Sequence, residues 1–171
     1  GIRWNEFTNQ GVFRGLSNRK NWRKKWSQFM SKPIQSWEAT KRSFVSISDI
    51  DMIGIDPYEW SNSSTSQIRQ KGGTKQGLAY LNSFISNRHK SYQNSISKPE
   101  LSRKACSRLS PYIAWGNLSI RYVWQTAEKA KRNGASRFQL HAFTSRLRWQ
   151  AHFIQKFEME DRMEFESINK G

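Results

Sequence analysis

The chain has 171 residues, in which 29 Lys and Arg stand against 13 Asp and Glu, giving a formal net charge of +16. This excess favours a polyanionic partner, nucleic acid first and an anionic membrane surface second, over a basic surface that is merely solvated. The length allows one domain with an aromatic-rich core. No apolar run reaches the ~18 residues of a membrane span, and the single cysteine excludes an internal disulfide.

The first 70 residues predict a loop-rich linker that contains one basic amphipathic helix. Between positions 18 and 30, Trp22, Trp26 and Phe29 fall on one helix face, and basic residues 23–25 lie on the other. We expect the tryptophans to pack on the domain, with a membrane-surface helix or a calmodulin-target helix as alternatives.

Residues 32–70 are mixed, with Pro33, Gly54, Pro57 and a patch rich in Ser and Asn from Ser61 to Ser66. Weak alternation over residues 43–50 predicts one short strand. A loop of this length is unusual inside a compact domain, so we expect it to pack on a larger body that this chain lacks.

From residue 71 onward the pattern predicts helices, so we assign the chain to the all-α class. Thr74 is the expected cap of a helix to about His89, and Ser119 and Ser136 are the expected caps of two later helices, the last running to about Glu158. Asn133-Gly134 is the expected stop between those two.

The segment from Cys106 to Arg121 contains two predicted helix starts. Ser110 followed by Pro111 predicts an N-cap and a first helical position, and Gly116 predicts the end of that short helix. Ser107-Arg108-Leu109-Ser110 therefore approaches a helix N-terminus with a guanidinium nearby, an arrangement suited to a phosphate or pyrophosphate.

Three segments, taken together, resemble the photolyase/cryptochrome family. Ser-Arg-Leu-Ser-Pro-Tyr followed by Gly-Asn-Leu-Ser-x-Arg is similar to that family's flavin-phosphate motif. Lys71-Gly72-Gly73-Thr74 and the helix after it resemble the start of the family's FAD-binding domain, and residues 143–157 resemble its Trp-Arg-Glu-Phe helix. The resemblance covers about residues 70–160 in the family's order.

The resemblance implies a helical FAD-binding domain fragment, with residues 1–70 as interdomain linker and 71–171 as the first part of that domain. It implies further that the family's antenna domain and the second half of the FAD domain are missing from this chain. The protein is expected to be bacterial, cytoplasmic and associated with DNA.

The resemblance also implies which residues bind FAD. Threonine usually begins the phosphate run in the family, and Cys106, a weaker donor, takes that place here. Phe143 stands where many members have a tryptophan close to the flavin. The expected cofactor residues are Tyr92, Ser107, Arg108, Leu109, Ser110, Phe143, Arg146 and Trp149.

A second group is expected to receive the substrate, DNA containing pyrimidine dimers. Trp149 aligns with the family tryptophan that stacks on a flipped-out dimer. Gln150 and Ala151 replace the Arg-Glu of the family pattern, and Arg146 stands where photolyases commonly have Glu or Gln. The expected DNA contacts are Trp149, Gln150, His152 and Phe153.

The function implied is therefore the FAD-binding portion of a light-driven DNA repair photolyase, with no catalytic residue in this half and no repair by this chain alone. A cryptochrome photoreceptor on the same frame is the first alternative. A basic helical nucleic-acid-binding module without flavin is the second. The three histidines have no metal-ligand spacing with Cys106 or with each other, so no metal site is expected.

Overall fold

The computed structural model describes residues 3–35 and 70–167. The chain divides into two compact units, one formed by Gly1–Pro33 with Gly72–Gly171 and the other by Ile34–Lys71. The elements below all belong to the first unit. The strand predicted over residues 43–50 lies outside the described residues.

Every regular element within the described ranges is helical, which confirms the all-α prediction. Two 3₁₀ turns, Arg88–Ser91 and Asp161–Glu164, accompany the α-helices. The α-helices are α1 (Trp22–Ser31), α2 (Thr74–Ser86), α3 (Tyr92–Ser95), α4 (Pro99–Ala105), α5 (Ser110–Ala114), α6 (Ile120–Arg132) and α7 (Arg137–Met159).

The starts predicted at Thr74, Ser119 and Ser136 agree with the structure to within one residue, whereas α1 begins at Trp22 and not at residue 18. Ser136 caps α7, since its hydroxyl accepts from the backbone N–H of Gln139 at 3.5 Å. Ser119 occupies the N-cap position of α6, as predicted, without a side-chain cap bond. Ser110 differs: the helical backbone already begins at Leu109, so the serine lies inside the first turn of α5 and caps nothing.

The predicted helix from Thr74 is shorter than expected. It ends at Ser86, and the chain tightens into the 3₁₀ turn before α3 begins. The short helix α5 ends as predicted, because Gly116 adopts φ 70°, a left-handed conformation that suits glycine. His89, which was the predicted end of α2, is instead buried within the 3₁₀ turn.

The core is built around α6 and α7, which pack on each other. The helix α1 packs on α6, and α3 packs on α7. Trp22 and Trp26 are 5% and 1% exposed, which confirms that the aromatic face of α1 packs on the domain. Trp26 and Trp124 meet edge to face, with ring centroids 6.3 Å apart.

The end of α1 is tied to α6, and the residues before α1 belong to the same compact unit. Gln125 on α6 donates to the carbonyls of Met30 and Lys32, both at 2.8 Å, and so fixes the end of α1. The division into a linker over 1–70 and a flavin domain over 71–171 remains a prediction. None of the helices described is long and apolar enough to cross a bilayer.

Candidate functional site: the Cys106–Ser110 loop and two basic clefts

Arg88 holds the loop that the sequence singled out, Cys106 to Ser110. Its guanidinium donates to the carbonyls of Cys106 and Ser107, the latter at 3.3 Å. On the other side it donates to the carbonyl of Tyr80 at 2.7 Å and the hydroxyl of Ser83 at 3.0 Å. Arg88 therefore joins α2 to the loop with every edge of its planar fork.

The charge of Arg88 is placed close to that of Arg108. Burial lowers the pKa of the Arg88 guanidinium most, and the neighbouring charge of Arg108 lowers the same pKa as well. Arg108 has φ 58°, which is uncommon for a residue other than glycine. The charges of Arg88 and Arg108 thus act on each other at this loop, and an anion bound there would be attracted by both.

Residues 107–110, which the sequence predicts to bind phosphate, comprise one core residue and three residues that solvent reaches. Leu109 is 1% exposed and anchors the loop in the core. Ser107 and Arg108 are half-buried and Ser110 is exposed. Burial raises the pKa of the Cys106 thiol, so a neutral thiol stands beside them at neutral pH.

Tyr92 and Phe143, both predicted to contact the flavin, lie in the core of this unit. Tyr92 is 5% exposed and Phe143 is 2% exposed, and their ring centroids are 5.8 Å apart in an edge-to-face contact. Phe84 packs against Phe143 at 4.7 Å. Burial is the main cause that raises the pKa of Tyr92 to about 12; Cys106 contributes to this rise and the charge of Arg146 opposes it.

A first basic cleft, of about 750 Å³, lies between α7, the end of α6 and the start of α3. Its volume falls within the ~300–1,000 Å³ typical of ligand sites. Four basic side chains and one carboxylate line it, and the carboxylate of Glu128 is paired with Lys131 at 2.5 Å. Its lining residues are Gln93, Glu128, Lys131, Arg132, Arg137, Phe138, His141, Ala142, Ser145, Arg146 and Trp149.

Exposed aromatic rings lie among these charges. Trp149 is 52% exposed and Phe138 is 67% exposed, far more than packing requires of such large rings. The guanidinium of Arg146 stands over the Trp149 ring, 5.4 Å from its centroid. A cation held over one aromatic face, with further cations around it, suits a ligand that has flat rings and phosphates.

A second basic cleft lies on the other side of Trp149, between α7 and the start of α1. His152 contacts Arg19 at 3.1 Å and packs edge to face on Trp22 at 5.6 Å. No carboxylate lines this cleft in the part of the chain that the structure describes. Its lining residues are Arg19, Trp22, Arg23, Arg148, Trp149, His152 and Phe153.

The structure brings some predicted residues together and separates others. Arg146 and Trp149 share the first cleft, whereas His152 and Phe153 join Trp149 in the second. Gln150 is half-buried and lines neither cleft. Of the other residues predicted to bind flavin, Tyr92, Leu109 and Phe143 belong to one buried core.

Sequence reasoning missed Arg88 and most of the cleft arginines. Arg88 occurs in no recognisable motif, and nothing in its local pattern indicates that it reaches a loop 18 residues away. Arg148 had a usable signal, because it lies next to Trp149. No group of three or more His, Cys, Asp or Glu that could hold a metal ion occurs within residues 3–35 and 70–167.

Comparison with known proteins returns no relative. No family model, no curated protein and no solved structure matches this chain.

Proposed function

We propose that this chain is the helical portion of a photolyase-like flavoprotein that binds DNA containing pyrimidine dimers. The observation that carries the proposal is the half-exposed Trp149 ring between two basic clefts. The family resemblance gives the same residue the role of stacking on a flipped base. An interior role for Trp149 would not require this exposure or these charges.

The physical argument concerns both parts of a nucleotide. Phosphates bind guanidiniums through charge-assisted hydrogen bonds, while bases stack on flat aromatic rings in a sequence-tolerant manner. The first cleft offers both, since Arg137 and Arg146 line it together with Phe138 and Trp149. The formal charge of +16 would assist association with a polyanion.

FAD is the cofactor that we propose for the photolyase-like function. Ser107, Arg108 and Ser110 would hold its diphosphate, because they are the residues of the run that solvent reaches. When bound and reduced, excited FAD supplies the electron that splits a dimer. Arg88 fixes the backbone that presents these groups. A cryptochrome would use the same residues without repair.

One observation favours a second candidate, a basic nucleic-acid-binding module without flavin. Tyr92, Leu109 and Phe143 are each at most 5% exposed within this unit. They serve as core residues whether or not a cofactor is present. Of the expected cofactor residues, Ser107, Arg108 and Ser110 in the loop and Arg146 and Trp149 in the first cleft then remain to bind FAD. The two candidates differ in that one activity.

DNA binding is tested with matched tryptophan variants. Trp115 is 84% exposed and lines neither cleft, so it serves as the control for Trp149. We expect Trp149→Ala to weaken binding of a fluorescent oligonucleotide about 5- to 150-fold, equal to one base stack. Trp115→Ala should leave the affinity within about twofold. Equal affinities for both variants would contradict the proposal.

Flavin binding separates the two candidates. The chain is titrated with FAD and followed by flavin absorption and anisotropy, for the native sequence and for Arg108→Ala. Binding that Arg108→Ala weakens supports the flavoprotein. DNA binding that depends on Trp149, without any uptake of FAD, supports the module without flavin.

A further inference from the structure

We propose that the second basic cleft is a phosphate site for the same nucleic-acid strand, which crosses α7 at Trp149 and occupies both clefts. This inference rests on the proposed nucleic-acid function and adds to it a path for the strand. The residues assigned to the new site are Arg19, Arg23 and Arg148.

The first support is the charge of the cleft. Arg19, Arg23 and Arg148 line one concave surface. Among the side chains described there, none is a carboxylate that could pair with them. Like charges gathered without a counter-ion destabilise a fold slightly, and a bound phosphate removes that cost.

The position of Arg148 strengthens this argument. It is half-buried on α7, and among the described residues its side chain makes one hydrogen bond, a long one of 3.4 Å to the Ser145 hydroxyl. Burial lowers the pKa of Arg148 most, and the charge of Arg23 lowers this pKa too. Both guanidiniums line the same cleft, and the charge of Arg23 acts on Arg148 across it.

The second support is the position of Trp149. Trp149 lines both clefts, so the two clefts meet at this residue. Phe153 meets the Trp149 ring at 5.8 Å and extends the aromatic surface into the second cleft. A base stacked on Trp149 would have one neighbouring phosphate directed to each cleft. Single-stranded or locally unpaired nucleic acid is the ligand that this arrangement fits.

The third support is the way in which the cleft arginines are held. Arg19 has only donors, so its contact at 3.1 Å requires the Nε2 of His152 to accept a hydrogen bond. A neutral His152 thus orients Arg19 while adding no positive charge. The remaining donors of that guanidinium are left for a phosphate.

The test compares arginine-to-glutamine variants of the full chain. Arg23→Gln and Arg148→Gln alter the second cleft, while Arg103→Gln removes an equal charge from α4, outside both clefts. Binding of a fluorescent oligo(dT) of eight nucleotides is measured across a range of salt. We expect about tenfold weaker binding for each cleft variant, and a salt slope reduced by about 0.7.

The outcomes separate the two proposals. If Trp149→Ala weakens binding but both cleft variants match Arg103→Gln, the second site is wrong and the nucleic-acid function stands. If the native chain does not bind the oligonucleotide, both fail. If the cleft variants lose only binding to phosphatidylserine vesicles, the cleft belongs to a lipid surface and the inference is overturned. Arg23 is exposed, so its variant remains informative if Arg148→Gln unfolds the chain.

Discussion

The side-chain amide of Gln155 makes two hydrogen bonds to the backbone of Phe13. Its Oε1 accepts from the Phe13 N–H at 2.7 Å, and its Nε2 donates to the Phe13 carbonyl at 2.9 Å. Gln155 has no exposed surface. This contact joins segments 142 residues apart and fixes the lead-in to α1 against α7. The second cleft depends on it, because that cleft lies between the same two parts of the chain.

Replacing Gln155 with leucine should destabilise the unit. The change keeps an apolar stem but leaves the Phe13 N–H and carbonyl without partners, at a cost of about 2–4 kcal/mol. The free energy of unfolding is measured with urea. Gln28→Leu, at an exposed position on α1, is the control and should change it by less than about 0.5 kcal/mol. Equal effects would show that the amide contacts contribute nothing.

Replacing Arg88 with lysine tests whether the fork geometry, rather than the charge, holds the Cys106 loop. Lysine keeps the charge but cannot reach Tyr80, Cys106 and Ser107 together. We expect a loss of about 2–3 kcal/mol in unfolding free energy. We also expect faster alkylation of Cys106 by iodoacetamide, because the half-buried thiol becomes accessible. Arg103→Lys is the matched control. An unchanged alkylation rate would mean that the loop is held by other contacts.

Alanine substitutions at Gly11 and Gly15 distinguish the cost of backbone strain from the cost of a steric clash. Both have left-handed φ values, 72° and 68°, so alanine at either position costs about 1–2 kcal/mol. A Cβ at Gly11 would also lie 2.6 Å from the Trp26 ring, whereas one at Gly15 meets nothing within 4 Å. Gly11→Ala should therefore be worse than Gly15→Ala by a further ~1–3 kcal/mol in chemical denaturation. Equal losses would show that Trp26 moves aside freely.

The helices could be predicted from the sequence because their signals are local. The spacing of Trp22 and Trp26 gave the buried face of α1, and Ser136 marked the start of α7. The end of α2 was predicted wrongly. The 3₁₀ turn after Ser86 is stabilised by tertiary contacts such as those of Arg88, which the local sequence does not show.

The site was less predictable for a related reason. An aromatic residue beside a cofactor and one in a core have the same pattern, so Phe143 could not be assigned to the core from the sequence. The second cleft pairs Arg19 with His152, which lie 133 residues apart. No spacing rule connects such residues, and only the folded arrangement brings them together.

His152 should make the stability of the unit depend on pH. Burial lowers the pKa of His152 below its usual value of 6.5, and the charges of Arg19 and Lys156 lower it further. Arg23 and Arg148 also line the second cleft, with no carboxylate described there. The folded state therefore disfavours the proton that the unfolded state accepts readily.

The sign of the effect follows from this difference. Above a pH of about 6.5 His152 is neutral in both states, and its contribution to stability is complete. As the pH falls below that value, the unfolded state is protonated first, so the free energy of unfolding decreases. His152→Gln remains neutral and keeps an oxygen that can accept from Arg19. The native chain should therefore lose more stability than His152→Gln between about pH 7 and pH 5 in urea titrations. Identical pH profiles for the two chains would mean that His152 is protonated equally in both states.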